Sequence, residues 1–125
     1  MSDSERYERG AKMVQEVYAG QVELPPPGTS EWMDRMVEGV FNDVWTRKAL
    51  PIRDRRLLVM GVIADAGASS VWKVQIRAAL ENGELDAEQA RECVIQITQY
   101  VGYPRAGSLM NTTEEAIAEF ESAKK

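Results

Sequence analysis

Apolar residues recur at three- and four-residue intervals along most of this chain, and no useful stretch alternates apolar with polar as a half-buried strand does. The pattern predicts five or six helices. The first spans roughly residues 3–19, with Tyr7, Ala11, Val14 and Tyr18 on one stripe and Gly20 as its stop. Residues 21–30 contain Pro25-Pro26-Pro27-Gly28, which cannot continue a helix and reads as an ordered, extended connector. A second helix starts after Thr29 or Ser30 as N-cap and carries Met33, Val37, Val40 and Val44, with Phe41 and Trp45 beside them. Pro51 suits the first turn of a third helix over about 52–66, whose LLVMGVIA core is apolar on every side and predicts the buried centre of the fold.

A fourth helix, about 69–82, is closed by Asn82-Gly83. In it Gln75 points almost the same way as Val71, Ala78 and Ala79, so an uncharged amide faces the packing side. Asp86 and Gln89 form a capping box for a fifth helix that runs to Val101, with Leu85 stapling onto Ala90. Its inner stripe is Ala90, Cys93, Ile97, Tyr100 and Val101, while Ile95 points away. Gly102-Tyr103-Pro104 then interrupts, and a last helix carries Leu109, Ala116, Ile117 and Phe120. The expected architecture is an all-α, compact helical bundle, one domain over residues 1–125. Apolar residues on two faces of a short helix also predict an oligomer.

Composition changes the picture mainly by exclusion. Hydrophobic residues make up 44% and charged residues 28%, a globular balance. The net charge of −5, from 15 cationic and 20 anionic side chains, argues against nucleic acid or an anionic membrane surface as partner. No apolar run reaches the ~18 residues of a membrane span, and the polar start MSDSERYERG carries no signal-peptide pattern. The single Cys93 suits a reducing cytoplasm and reads as a small core residue. The chain holds no histidine. That removes imidazole chemistry and ordinary His-based metal sites, so neither metal nor cofactor is expected.

Two features remain as candidate chemistry. Gln75 offers two N–H donors and one acceptor. It is either a buried amide satisfied by its neighbours or a pocket-lining group. Arg53, Arg55 and Arg56 crowd the first turn of the third helix. A positive helix end with guanidinium groups makes a carboxylate site, and ion pairing with Asp54 or other carboxylates is the plainer alternative.

The segments RYERGAKMVQEVYAG, NDVWTRKALPIRDRRLLVM, KVQIRAALENG and ARECVIQITQYVGYPRAG together resemble the carboxymuconolactone decarboxylase family, within the alkylhydroperoxidase D-like superfamily. The matching positions are Trp45, Thr46-Arg47, Leu50-Pro51, Arg55, Arg77-Ala78-Ala79, Asn82-Gly83, Tyr100, Gly102, Pro104 and Ala106. The resemblance implies an alkylhydroperoxidase D-like helical bundle of about six helices in an oligomeric ring, commonly a hexamer, with a trimer as the other expectation. It implies loss of CO2 from a carboxylated lactone in aromatic catabolism, at pockets close to subunit contacts.

The departures from the family pattern are chemical. Gln75 and Gln96 stand where the family has histidines, and Gly107 where an asparagine is often found. The redox branch has C-x-x-C-x-x-x-H with an upstream glutamate. Those positions read Ala68, Val71, Gln75 and Arg56, so thiol peroxidase chemistry is not expected. What remains is a cofactor-free lyase, or an isomerase or cyclase, acting on a small carboxylated ring or keto acid. Gln75 and Gln96 would stabilise a developing enolate and Tyr100 would supply a proton, against the alternatives of an edge residue for Gln96 and a core residue for Tyr100. Arg56, Arg55, Arg47 and Trp45 would bind the substrate carboxylate, with packing as the alternative for Trp45 and subunit locking for Arg55. The rival functional expectation is a catalytically silent oligomer that binds a small acid or a protein partner.

Overall fold

The computed structural model describes residues 1–124, and its regular elements are all helical. They are α1 (Asp3–Val17), α2 (Glu31–Arg35) continued by a π-helical segment (Met36–Trp45), α3 (Ile52–Ala66), α4 (Ser69–Glu81), α5 (Ala87–Val101) and α6 (Tyr103–Ala123). The all-α expectation therefore holds, and most boundaries fall where the cap chemistry put them. Ser30 caps α2 by accepting from Met33 N–H, and Asp86 and Gln89 form the reciprocal capping box of α5. Gly67 and Gly83 follow α3 and α4 with φ of 69° and 68°, left-handed geometry that suits glycine at helix ends. The interruption before α6 shrinks to Gly102 alone, at φ 91°, with Pro104 inside the first turn of the helix.

Residues form two compact units, Met1–Arg55 and Arg56 onward. In the first, α1 packs on the π-helical segment. The buried face of α1 is Gly10, Met13, Val14 and Val17, rotated from the predicted Tyr7-Ala11-Val14-Tyr18 stripe. The cause is Gly10: a Cβ there would lie 2.0 Å from the Val37 carbonyl oxygen, so the face with the smallest residue turns inward. The second predicted stripe also shifts. Val37, Phe41, Asn42 and Trp45 are buried, whereas Val40 and Val44 are exposed. A π-helix bonds i to i+5, so one face recurs at roughly four to five residues instead of 3.6. Phe41 and Trp45 stack with ring centroids 5.9 Å apart and planes 11° apart. The triproline connector is tied down by Tyr7, which donates to the Pro25 carbonyl at 3.3 Å, and by Gln15, which donates to that of Val22 at 3.1 Å.

In the second unit α6 packs against α4 and α5. Its core comprises Met60, Ile63, Trp72, Ile76, Leu80, Val94, Leu109 and Ile117 with small alanines between them. Trp72 closes it with a buried 2.8 Å bond from Nε1 to Thr113 Oγ1. Two expectations change. α3 is not buried all round: Arg56, Met60, Ile63 and Ala64 face inward, while Leu58 and Val62 are 66% and 71% exposed. A charged residue occupies the buried face, so the apolar surplus falls outside. On α5 the inner residues are Ala90, Val94 and Thr98. Cys93, Ile97 and Val101 flank them, and Tyr100 is 80% exposed, which removes it from the predicted stripe.

Gly10→Ala should destabilise the protein by about 1–3 kcal/mol, because a backbone carbonyl cannot yield to the added methyl as a side chain would. Urea unfolding midpoints compared with Gly39→Ala, where the same methyl meets nothing within 4 Å, check this. Equal losses for the two would contradict it.

Candidate active site

Among the described residues, the second unit buries one cation. Arg56 is 1% exposed on the inner face of α3, the face that also carries Met60, Ile63 and Ala64. Desolvating a guanidinium is costly, so its donors need strong acceptors close by. Glu84, just beyond the α4 terminus, supplies two: Arg56 Nε donates to Glu84 Oε1 at 2.6 Å and Nη2 to Oε2 at 2.9 Å. This is the two-point fork that a guanidinium makes with a carboxylate. The third acceptor is Gln75. Arg56 Nη1 donates to its Oε1 at 2.8 Å, and Gln75 is itself 1% exposed.

That last bond fixes the amide. A guanidinium only donates, so the atom of Gln75 facing it is the carbonyl oxygen, and the NH2 forms the other end. The turn after α4 sets the third side: Gly83 takes its left-handed φ, and the Glu84 N–H returns to the Ala79 carbonyl at 2.9 Å. Asn82 Nδ2 donates to Glu84 Oε2 at 3.3 Å, so that oxygen accepts twice. Arg56, Gln75 and Glu84 thus form one buried, charge-compensated cluster. Its guanidinium and amide N–H groups are of the kind that stabilises negative charge, and in this fold the guanidinium N–H groups answer Glu84 and Gln75.

The other candidate residues fall elsewhere. Gln96 and Tyr100 stand on the solvent-facing side of α5, outside the buried cluster. Trp45, Arg47 and Arg55 belong to the first unit. Trp45 is buried against Phe41. Arg55 donates to the backbone carbonyls of Leu50 and Arg47, both at 3.1 Å, and so clasps the turn before α3. Arg47 is exposed, and Arg53 lies 4.0 Å from Asp54. Glu84 was missed by sequence reasoning. Its signal was indirect: an arginine on an inward helix face needs a carboxylate, and Glu84 directly follows the Asn82-Gly83 helix end.

Surface charges of this unit pair locally. Lys73 meets Glu119 at 2.9 Å. Their hydrogen bond raises the lysine pKa and lowers that of the glutamate. Arg91 and Glu114 make the same exchange at 2.8 Å between α5 and α6. No group of three or more metal-binding side chains occurs among the described residues.

A model of the carboxymuconolactone decarboxylase family matches residues 30–115. The chain is 23% identical over 120 residues to a 4-carboxymuconolactone decarboxylase of Acinetobacter baylyi, covering 92% of this chain and 89% of that protein. It is 30% identical over 91 residues to a nitrosuccinic acid decarboxylase of Metarhizium robertsii, covering 73% of this chain and 63% of the other.

Arg56→Leu should cost about 3–5 kcal/mol, because it strands a mostly buried carboxylate and an amide oxygen. The double variant Arg56→Leu/Glu84→Leu should recover much of that loss. Denaturant unfolding of the two singles and the double measures this coupling, and additive losses would mean that the pair is not a unit.

Proposed function

Because this chain belongs to the carboxymuconolactone decarboxylase family, we propose that it is a cofactor-free lyase that removes CO2 from a small carboxylated ring or keto acid. The observation that carries this reading is the buried bond between Arg56 Nη1 and Gln75 Oε1. It orients the Gln75 amide with its carbonyl toward the cation, in the position where the family pattern carries a histidine, so that substrate binding would act on an amide already fixed by the fold. Arg56 supplies the positive field and Glu84 holds it in register. No step is assigned to Gln96 or Tyr100. Trp45 and Arg55 pack and clasp, and Arg47 stays outside the proposal. The two relatives are named as decarboxylases of carboxymuconolactone and of nitrosuccinic acid, which supports a small carboxylate as substrate here. The reading extends to a cytoplasmic homo-oligomer, hexameric or trimeric, since Leu58 and Val62 leave an apolar ridge on α3 that a second copy would cover.

A second reading, binding of small acids without turnover, is favoured by one observation. The Arg56 charge is already matched by a two-point bond to Glu84, as in a structural lock.

The test is CO2 release from a panel of carboxylated lactones, keto acids and nitro acids, with thermal shift read in parallel. Turnover of at least one acid is expected, and Gln75→Leu should lower its kcat by about 10²–10³ when assayed well below its unfolding midpoint, which should itself fall because Arg56 Nη1 loses its acceptor. Binding without CO2 release across the panel would establish the silent reading. Gln75→His should raise activity on carboxymuconolactone by restoring a proton-exchanging ring. No gain would count against a pocket built around position 75.

A further inference from the structure

We infer that Asn82 is a self-modifying site: the Asn82-Gly83 pair cyclises when the end of α4 opens, and the acid that results loosens the hold of Glu84 on Arg56. The step needs only water. The backbone nitrogen of Gly83 attacks Asn82 Cγ, the new C–N bond closes a succinimide ring, and the Cγ–Nδ2 bond breaks. The proton of the Gly83 N–H leaves with the departing nitrogen as ammonia. Water then opens the ring at either carbonyl, giving aspartate or isoaspartate, and the acid proton passes to the ammonia.

The turn favours this chemistry in two ways and restrains it in one. Asn82 is exposed, so water reaches it. Gly83 has no side chain to hinder the approach of its nitrogen, and a Cβ there would meet nothing within 4 Å, so the turn has room to rearrange. The restraint is a hydrogen bond. Asn82 sits in helical geometry at φ −81° and ψ −1°, and the Gly83 N–H is given to the Leu80 carbonyl at 3.2 Å. That bond must break before the nitrogen can attack. The reaction therefore follows local opening of the helix end, which needs less free energy than global unfolding.

Position 82 matters to the buried cluster. Asn82 Nδ2 donates to Glu84 Oε2 at 3.3 Å, the same oxygen that takes Arg56 Nη2 at 2.9 Å. Conversion replaces that donor with a carboxylate. Two like charges then face each other across a hydrogen-bond distance, beside a Glu84 side chain only 12% exposed. Isoaspartate does more. It inserts a methylene into the main chain ahead of Gly83, and the turn that brings the Glu84 N–H to the Ala79 carbonyl at 2.9 Å no longer fits. Neither product reverts to the amide, so the end of α4 carries a one-way clock.

The test ages the full-length protein at neutral and at mildly alkaline pH. Mass spectrometry and isoaspartate detection follow the tryptic peptide 78–91, in which Asn82 is the single asparagine, with the isolated peptide as unfolded reference. Conversion at 82 is expected, slower than in the peptide and rising with pH. Asn42 and Asn111, followed by Asp43 and Thr112, should stay intact over the same period. Aged protein should unfold at a lower urea concentration, and equally aged Asn82→Gln, whose longer side chain cyclises far more slowly, should not. Fresh Asn82→Asp should raise the unfolding equilibrium constant about tenfold, the worth of one hydrogen bond to a charged group. In the Arg56→Leu/Glu84→Leu background the same substitution should change it about twofold at most. An unaltered position 82 in protein aged until the peptide has fully converted overturns the inference. So does aged protein that keeps the midpoint of aged Asn82→Gln, or an Asn82→Asp loss of equal size in both backgrounds.

Discussion

The second unit is organised by one obligation: a guanidinium that reaches no solvent must be matched inside the fold. Arg56 lies on the inner face of α3 at 1% exposure, and leaving it unpaired would cost several kcal/mol. Everything nearby answers that demand. α4 brings an amide carbonyl to Nη1. The turn after α4 bends sharply enough, through Gly83 in its left-handed conformation, to return Glu84 to Nε and Nη2. The helix end is therefore part of the candidate site: a longer α4 would carry Glu84 past the arginine. The same obligation explains the sidedness of α3. Its inner face is given to a charge, so Leu58 and Val62 face outward, and the most apolar run of the sequence is only half inside.

The capping logic was legible residue by residue. Asp86 with Gln89 begins α5, Ser30 begins α2, and Gly67, Gly83 and Gly102 mark ends, because each depends on local backbone chemistry that a short window of sequence contains. The inward placement of Gln75 was legible for a similar reason, since its neighbours Ala78 and Ala79 fix the packing face. The rotated stripes were not. The side of α1 that turns in is decided by Gly10 meeting a carbonyl 27 residues away, and the π-helical turn shifts the face of Met36–Trp45 from Val40 and Val44 to Phe41, Asn42 and Trp45. Both are tertiary decisions with no local signature. Tyr100 was misplaced because a helical stripe extrapolated to the end of α5 drifts off the core before the helix stops. The carboxylate that partners Arg56 was not legible, because its pairing with Glu84 spans 28 positions, beyond any periodicity argument.

The first unit ties its π-helical segment to α1 through one arginine. Arg6 Nη2 donates to the Glu38 carbonyl at 3.1 Å and also holds Asp43 Oδ2 at 2.9 Å. That bond keeps Asp43 below the usual carboxylate range. Asn42 is oriented by the same carboxylate, donating to Asp43 Oδ1 at 2.9 Å. Its own Oδ1 is then directed away and is buried without a hydrogen-bond partner. The unmatched oxygen lies on the same buried face as the stacked Phe41–Trp45 pair, so apolar packing surrounds the one acceptor that the hydrogen bonds leave over.

A decarboxylase in general needs charge stabilisation and proton delivery, and these are separable: oriented donors are worth about 10²–10³ in rate and a positioned acid about 10²–10⁴. In this chain the donors of Arg56 are engaged within the fold, Nε and Nη2 with Glu84 and Nη1 with Gln75. The contacts that keep the second unit together are therefore the same ones that a bound acid would have to share, so stability and any chemistry at this cluster are coupled through one guanidinium.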